Sequence, residues 1–73
     1  MSTVKAHITG TVWSIEVAPG DAIAEGDVVV ILESMKMEMA VESEIAGVVD
    51  ELLCEEGQPV TEGADLVRLR PRG

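Results

Sequence analysis

The residue best placed for chemistry is Lys36, in the run Glu33-Ser34-Met35-Lys36-Met37-Glu38. The other bases, Lys5, Arg68, Arg70 and Arg72, all lie near the ends of the chain, whereas Glu33, Glu38, Glu42 and Glu44 surround Lys36. A primary amine set apart in this way is a nucleophile once it loses its proton, and the chemistry it offers is acylation by a partner enzyme. Met35 and Met37 add flexible apolar surface on either side, of a kind that suits a partner's pocket. The same residues fit a plainer role. A lysine on an edge hairpin also discourages pairing with other chains, and methionines fill cores, which is the role expected of Met39.

Other reactive groups are sparse. Cys54 is the only cysteine and His7 the only histidine, so an intrachain disulfide is excluded and a zinc site lacks ligands. No cysteine–histidine spacing suggests a nucleophilic triad. Glu55-Glu56 and Glu42/Glu44 have the make-up of acid–base pairs, but acids this frequent form a solvated face. The expectation is a protein with no catalytic residue and no metal site. Cys54 reads as a small buried apolar residue. Trp13, the only aromatic residue, lies between the apolar positions Val12 and Ile15 and is expected at the edge of the core and partly exposed, with stacking as its alternative use.

The amine must be positioned by a small structure. Seventy-three residues imply one domain over residues 1–73, which buries only about 60% of its unfolded surface and has no room for a deep cleft. Hydrophobic residues make up 47% of the chain and are mostly Val, Ile, Leu, Met and Ala, which favours strands. A net charge of −9 argues against nucleic acid as a partner and for a soluble chain. The N-terminus does not read as a signal peptide, and Val28–Leu32 is far too short to span a bilayer. A cytoplasmic monomer without membrane contact is expected.

The positioning elements are written twice. His7–Glu33 aligns with Glu44–Arg70 at an offset of 37 residues, without a gap. The identical pairs are Ile8/Ile45, Gly10/Gly47, Val12/Val49, Gly20/Gly57, Glu25/Glu62, Gly26/Gly63, Val30/Val67 and Leu32/Leu69. Each half reads as a strand, a glycine turn, a very short strand, a second glycine turn and a strand. In the first half these are Thr11–Val17, Ala22–Ile23 and Val28–Glu33. Val12, Ile15 and Val17 are spaced three then two, as are Val49, Leu52 and Cys54. A plain strand spaces its inward residues by two, so each half is expected to hold a β-bulge or sharp bend. Two such halves related by a pseudo-two-fold axis would close an all-β flattened barrel or sandwich.

Ser34–Ser43 has no counterpart in this repeat. Within it Met37, Met39 and Val41 alternate with Glu38, Ala40 and Glu42, which is strand periodicity. Val28–Glu33 and Met37–Glu42 then form a hairpin with Met35 and Lys36 near its tip. Glycine and asparagine, the residues such a tip favours, are missing.

Glu33-Ser34-Met35-Lys36-Met37 resembles the attachment motif of biotinyl domains, Glu-Ala/Ser-Met-Lys-Met. The resemblance covers nearly the whole chain, through Gly10-Thr11-Val12, Gly20-Asp21, Glu25-Gly26-Asp27, Gly47, Gly57 and Gly63. It implies a barrel-sandwich of two four-stranded antiparallel sheets, covalent biotin on Lys36, and recognition of Met35 and Met37 by biotin protein ligase. It also implies a carrier rather than an enzyme, which accepts a carboxyl group from a biotin carboxylase and hands it to a carboxyltransferase. Lipoyl domains share the fold but more often carry Asp-Lys-Ala. A lipoyl carrier and an unmodified β-barrel interaction module are the alternatives. Two departures stand out. Ala6-His7-Ile8-Thr9-Gly10 replaces the family's Ala-Pro-Met-Pro-Gly, and Ser43-Glu44-Ile45-Ala46-Gly47 replaces an Ala-Pro start to the second half. Without the thumb insertion and long Ala/Pro linker of some carriers, the chain is most similar to short free-standing biotinylated proteins.

Overall fold

The computed structural model describes residues 2–71. The strands are β1 (Ser2–Lys5), β2 (Gly10–Ile15), β3 (Ala22–Ile23), β4 (Val28–Ser34), β5 (Met37–Glu42), β6 (Gly47–Leu52), β7 (Pro59–Val60) and β8 (Asp65–Arg70). They form two four-stranded antiparallel sheets, ordered β1-β8-β6-β3 and β5-β4-β2-β7. Among the described residues no helix is long and apolar enough to cross a membrane. Val12, Val29, Val30, Leu32 and Val41 face Val4, Val49, Leu66, Val67 and Leu69 in an aliphatic core closed by Ile23, Val60 and Cys54. Burial pushes the Cys54 thiol pKa up, in keeping with its use as a small apolar residue.

Both expected bulges are present. The register slips between Val12 and Ser14 against β4, and between Val49 and Glu51 against β8. The extra residues are therefore Trp13 and Asp50, which are equivalent in the repeat. The slip turns Trp13 outward; it is half exposed, as its place between the inward-facing positions predicts. The first strand also ends at Ile15, short of the expected Val17.

The repeat is longer than the sequence comparison suggests. Ser34–Ser43 is not wholly without a counterpart, because β1 answers the second part of β5. Val4 pairs with Val67 as Val41 pairs with Val30, and Ser2 with Leu69 as Met39 with Leu32. Even the register slip recurs, at Val4/Lys5 and at Val28/Val30. Only Val4/Val41 is identical across these positions, so the kinship lies in the pairing rather than in the side chains. What remains unique is the tip, Ser34–Glu38.

The halves are locked by reciprocal backbone bonds. Gly20 N–H donates to Val49 O and Val49 N–H to Asp21 O (both 2.8 Å). The equivalents are Gly57 N–H to Val12 O (2.7 Å) and Val12 N–H to Gln58 O (2.8 Å). Each of these short connections turns through a glycine with φ near 90°, a conformation that costs other residues energy. Asp21, Asp27 and Gln58 accept a hydrogen bond from the backbone N–H that opens their own turn.

Gly10 serves a different need. A Cβ there would sit 2.5 Å from the Glu33 carbonyl oxygen, at the foot of the hairpin tip, whereas one at the equivalent Gly47 would sit 3.0 Å from Arg70 O. Both obstacles are backbone and cannot swing away. Gly10→Ala is expected to cost about 1–3 kcal/mol and Gly47→Ala less, as read from urea unfolding midpoints. Equal midpoints in the two variants would show that the closer approach at Gly10 does not constrain the fold.

Candidate functional site

β4 and β5 pair through Val30↔Val41, Ile31↔Ala40, Leu32↔Met39, Glu33↔Glu38 and Ser34↔Met37. Val30, Leu32 and Val41 are buried on the inner face. A one-residue slip would turn that face outward, so burial fixes the register. The register leaves two residues, Met35 and Lys36, to join the strands. For a loop this short the right-handed twist of the ribbon selects a type I′ turn, with both central residues left-handed. Met35 and Lys36 adopt φ of 52° and 65°. An L side chain in this region costs about 1–2 kcal/mol, so the paired strands hold the turn in a conformation its residues do not favour.

The turn puts both side chains in solvent. Met35 is 92% exposed, Met37 63%, and Lys36 is exposed as well. Lys36 enters no ion pair among the described residues. By contrast Lys5 pairs with Asp65, and Arg68 pairs with Asp50 and Glu51, all on the β1-β8-β6-β3 sheet or its margin. Behind the amine, Glu33 and Glu38 stand directly opposite one another, a like-charge arrangement that weakens strand pairing. Strain, exposed methionine and facing carboxylates all work against folding at this one place.

The chain ends lie elsewhere. Ser2, Leu69, Arg70 and Pro71 line a hollow with Ile45 and Ala46, beyond the foot of β5. The six residues of β5 separate that region from the tip by about 20 Å, at roughly 3.3 Å per residue. Met1 and Gly73, whose distance from Lys36 also bears on this separation, lie outside the described residues.

The structure thus brings Met35, Lys36 and Met37 together at one tip. It corrects the expectation for Met39, which is 36% exposed rather than core. Val41 is buried on the same face of the same edge strand; Met39 lies two residues nearer the tip, and edge position and nearness to the tip together leave it exposed. The left-handed turn was not predicted. The available signal was a two-residue loop lacking glycine and asparagine.

Comparison with known proteins identifies the family. A family model for biotin and lipoyl attachment, described as "Biotin-requiring enzyme", matches residues 2–69. The chain belongs to the biotin/lipoyl attachment family. It is 42% identical over 67 residues to the biotin/lipoyl attachment protein of Bacillus subtilis, covering 92% of each. It is 42% identical over 64 residues to a biotinylated protein TB7.3 homolog of Mycobacterium leprae, covering 88% of this chain and 89% of that one. The crystal structure of the Kluyveromyces lactis urea carboxylase contains a matching fold at a TM-score of 0.88 and 32% identity. That match covers 94% of this chain and 6% of the carboxylase. This attachment domain is therefore similar both to short proteins along most of their length and to a small part of a large carboxylase.

If the turn is strained, relieving it stabilises the domain. The double change Met35→Asn with Lys36→Gly supplies the residues a type I′ turn prefers. It is expected to raise the thermal midpoint by roughly 5 °C or more. An unchanged midpoint in scanning calorimetry would mean that the left-handed turn stores no strain.

Proposed function

We propose that this protein is a covalent biotin carrier, with biotin held as an amide on Lys36 Nζ, and that it moves carboxyl groups between a biotin carboxylase and a carboxyltransferase. The observation that carries this reading is the exposed Lys36 amine at the apex of a strained two-residue turn, with an exposed methionine on each side. Biotin is favoured over a lipoyl group by that Met-Lys-Met setting, together with a relative of nearly the same length whose name describes it as biotinylated. A role in carboxylation is supported by relatives such as the human propionyl-CoA carboxylase alpha chain, 37% identical over 68 residues. This chain spans 9% of that enzyme, so the catalytic groups would belong to the partners. The carrier would act as a single domain over residues 1–73, monomeric and cytoplasmic.

Attachment places few demands on the carrier. The Lys36 ammonium gives a proton to a base of biotin protein ligase, and the neutral amine attacks the activated carboxyl carbon of biotin. With biotin activated by the ligase as its adenylate, the N–C bond forms as the bond from the carboxyl carbon to the phosphate oxygen breaks; AMP departs with the electron pair, and the nitrogen gives up its second proton to solvent to leave the neutral amide. When bound, biotin supplies a carboxyl-accepting group on a flexible arm. The paired strands hold the root of that arm, and the exposed position of Lys36 leaves it free to swing. Met35 and Met37 give the ligase apolar surface to recognise beside an amine that otherwise resembles any lysine.

Lys36→Arg keeps a cation but presents a group that stays protonated. It is expected to abolish labelling by a biotin protein ligase while leaving thermal unfolding unchanged. Streptavidin-detectable biotin on this variant would point to Lys5 or another acceptor. Met35→Ala and Met37→Ala are each expected to slow labelling about tenfold, a loss typical of one important interface contact, with little change in the unfolding midpoint. Normal labelling rates with depressed midpoints would make the methionines structural.

A further inference from the structure

The outer face of the β5-β4-β2-β7 sheet has an apolar centre with no assigned role. The bulge places Trp13 beside Ser14, opposite Ile31, and Ile31 pairs in turn with Ala40 on the edge strand. Trp13 is 50% exposed, Ile31 is partly exposed and Ala40 is exposed. Glu33 and Glu38 lie on this face towards the tip, and Glu42 is exposed farther along the edge strand. None of the four strands of this sheet contains Lys or Arg. Lys5, Arg68 and Arg70 belong to the other sheet; Lys5 and His7 border a hollow with Ala40 and Glu42 only at the far margin of the edge strand, away from Trp13 and the tip. A lone exposed tryptophan within an acidic surround has the make-up of an interface anchor rather than of a solvated surface.

We propose that this face, anchored on Trp13, is the docking surface for biotin protein ligase, and that the ligase presents an apolar hollow ringed by Lys or Arg. The inference rests on the assignment of Lys36 as the biotin acceptor. An enzyme that acylates Lys36 must bring its active site to Nζ itself, whereas one that uses the loaded arm need only reach the arm's far end. The ligase is therefore the partner forced against the hairpin. Two turn residues cannot supply a footprint of about 800 Å², so contact must run down one face of the hairpin. The inner face is closed by the core from Val41 onward. The outer face is open, and Trp13 lies about five residues, roughly 17 Å, from Lys36 along the strands. A footprint of that area is about 30 Å across, so one that runs from the tip down this face reaches Trp13. The acids around the patch select a basic partner surface, and the turn methionines continue the same contact at the tip.

The test is steady-state biotinylation by the cognate ligase, with the carrier concentration varied and biotin and ATP saturating. Trp13→Ala is expected to raise the KM for the carrier about tenfold, with kcat within about twofold and the thermal midpoint little changed. Ala40→Lys puts an opposing charge on the same face at an exposed position. It should raise KM several-fold at low salt, with the effect shrinking as salt is added. Because the chain has no other aromatic residue, its intrinsic fluorescence reports Trp13 alone. Mixing the Lys36→Arg variant with a tryptophan-free ligase should shift that emission to the blue as the indole is covered. If the wild-type protein is labelled but either face variant keeps the wild-type KM, the docking assignment is wrong while the role of Lys36 stands. If the wild-type protein is not labelled at all, both fall together.

Discussion

The pairing register between β4 and β5 governs the rest of the candidate site. Val30, Leu32 and Val41 must face the core, and once they do, two residues are left to reverse the chain. Their left-handed conformation, their exposure and their distance from the chain ends follow from that constraint and from the length of the strands. Glycine or asparagine would make the same turn more easily, and uncharged residues at Glu33 and Glu38 would pair more comfortably. The tip is therefore a place where sequence and fold disagree locally while the surrounding structure holds firm. Such disagreement is expected where side chains are kept for what they do rather than for stability.

The remainder of the domain supplies that firmness with modest means. The core contains no aromatic ring, and two of the strands are only two residues long. Each half instead donates and accepts backbone hydrogen bonds through the other, at Gly20 and Val49 and again at Gly57 and Val12. The bulges at Trp13 and Asp50 bend both halves at equivalent places. The proposed role, a rigid support for a mobile arm, would need little more.

Most of this was legible in the sequence because it is written in patterns that survive substitution. The turn glycines, the three-then-two spacing of Val12, Ile15 and Val17, and the alternation from Met37 to Glu42 each reflect a local backbone requirement. The parts that were not legible depend on neighbours. β1 matches the second part of β5 in pairing but shares one residue with it, so no sequence comparison would align them with confidence. Met39 alternates with Val41 yet is exposed while Val41 is buried, because how far the core extends beneath an edge strand is a property of the fold and not of the strand. The spacing around Trp13 marked it as partly exposed, but its neighbours on the outer face, Ile31 and Ala40, follow only from the strand pairing. Lys36 was the reverse case: its setting was plain from the motif, while the strained turn beneath it was hinted at only by the absence of glycine.

The central claim is that Lys36 is the single point at which this carrier is loaded, and that its load is biotin. The most direct measurement is the intact mass of the protein purified from its native host, followed by fragmentation of the peptide that contains Lys36. The account predicts a mass increase of one biotinyl group, localised to the Lys36 side chain. A lipoyl increment at Lys36, a biotinyl group on any other residue, or an unmodified chain from cells with active ligase would contradict it.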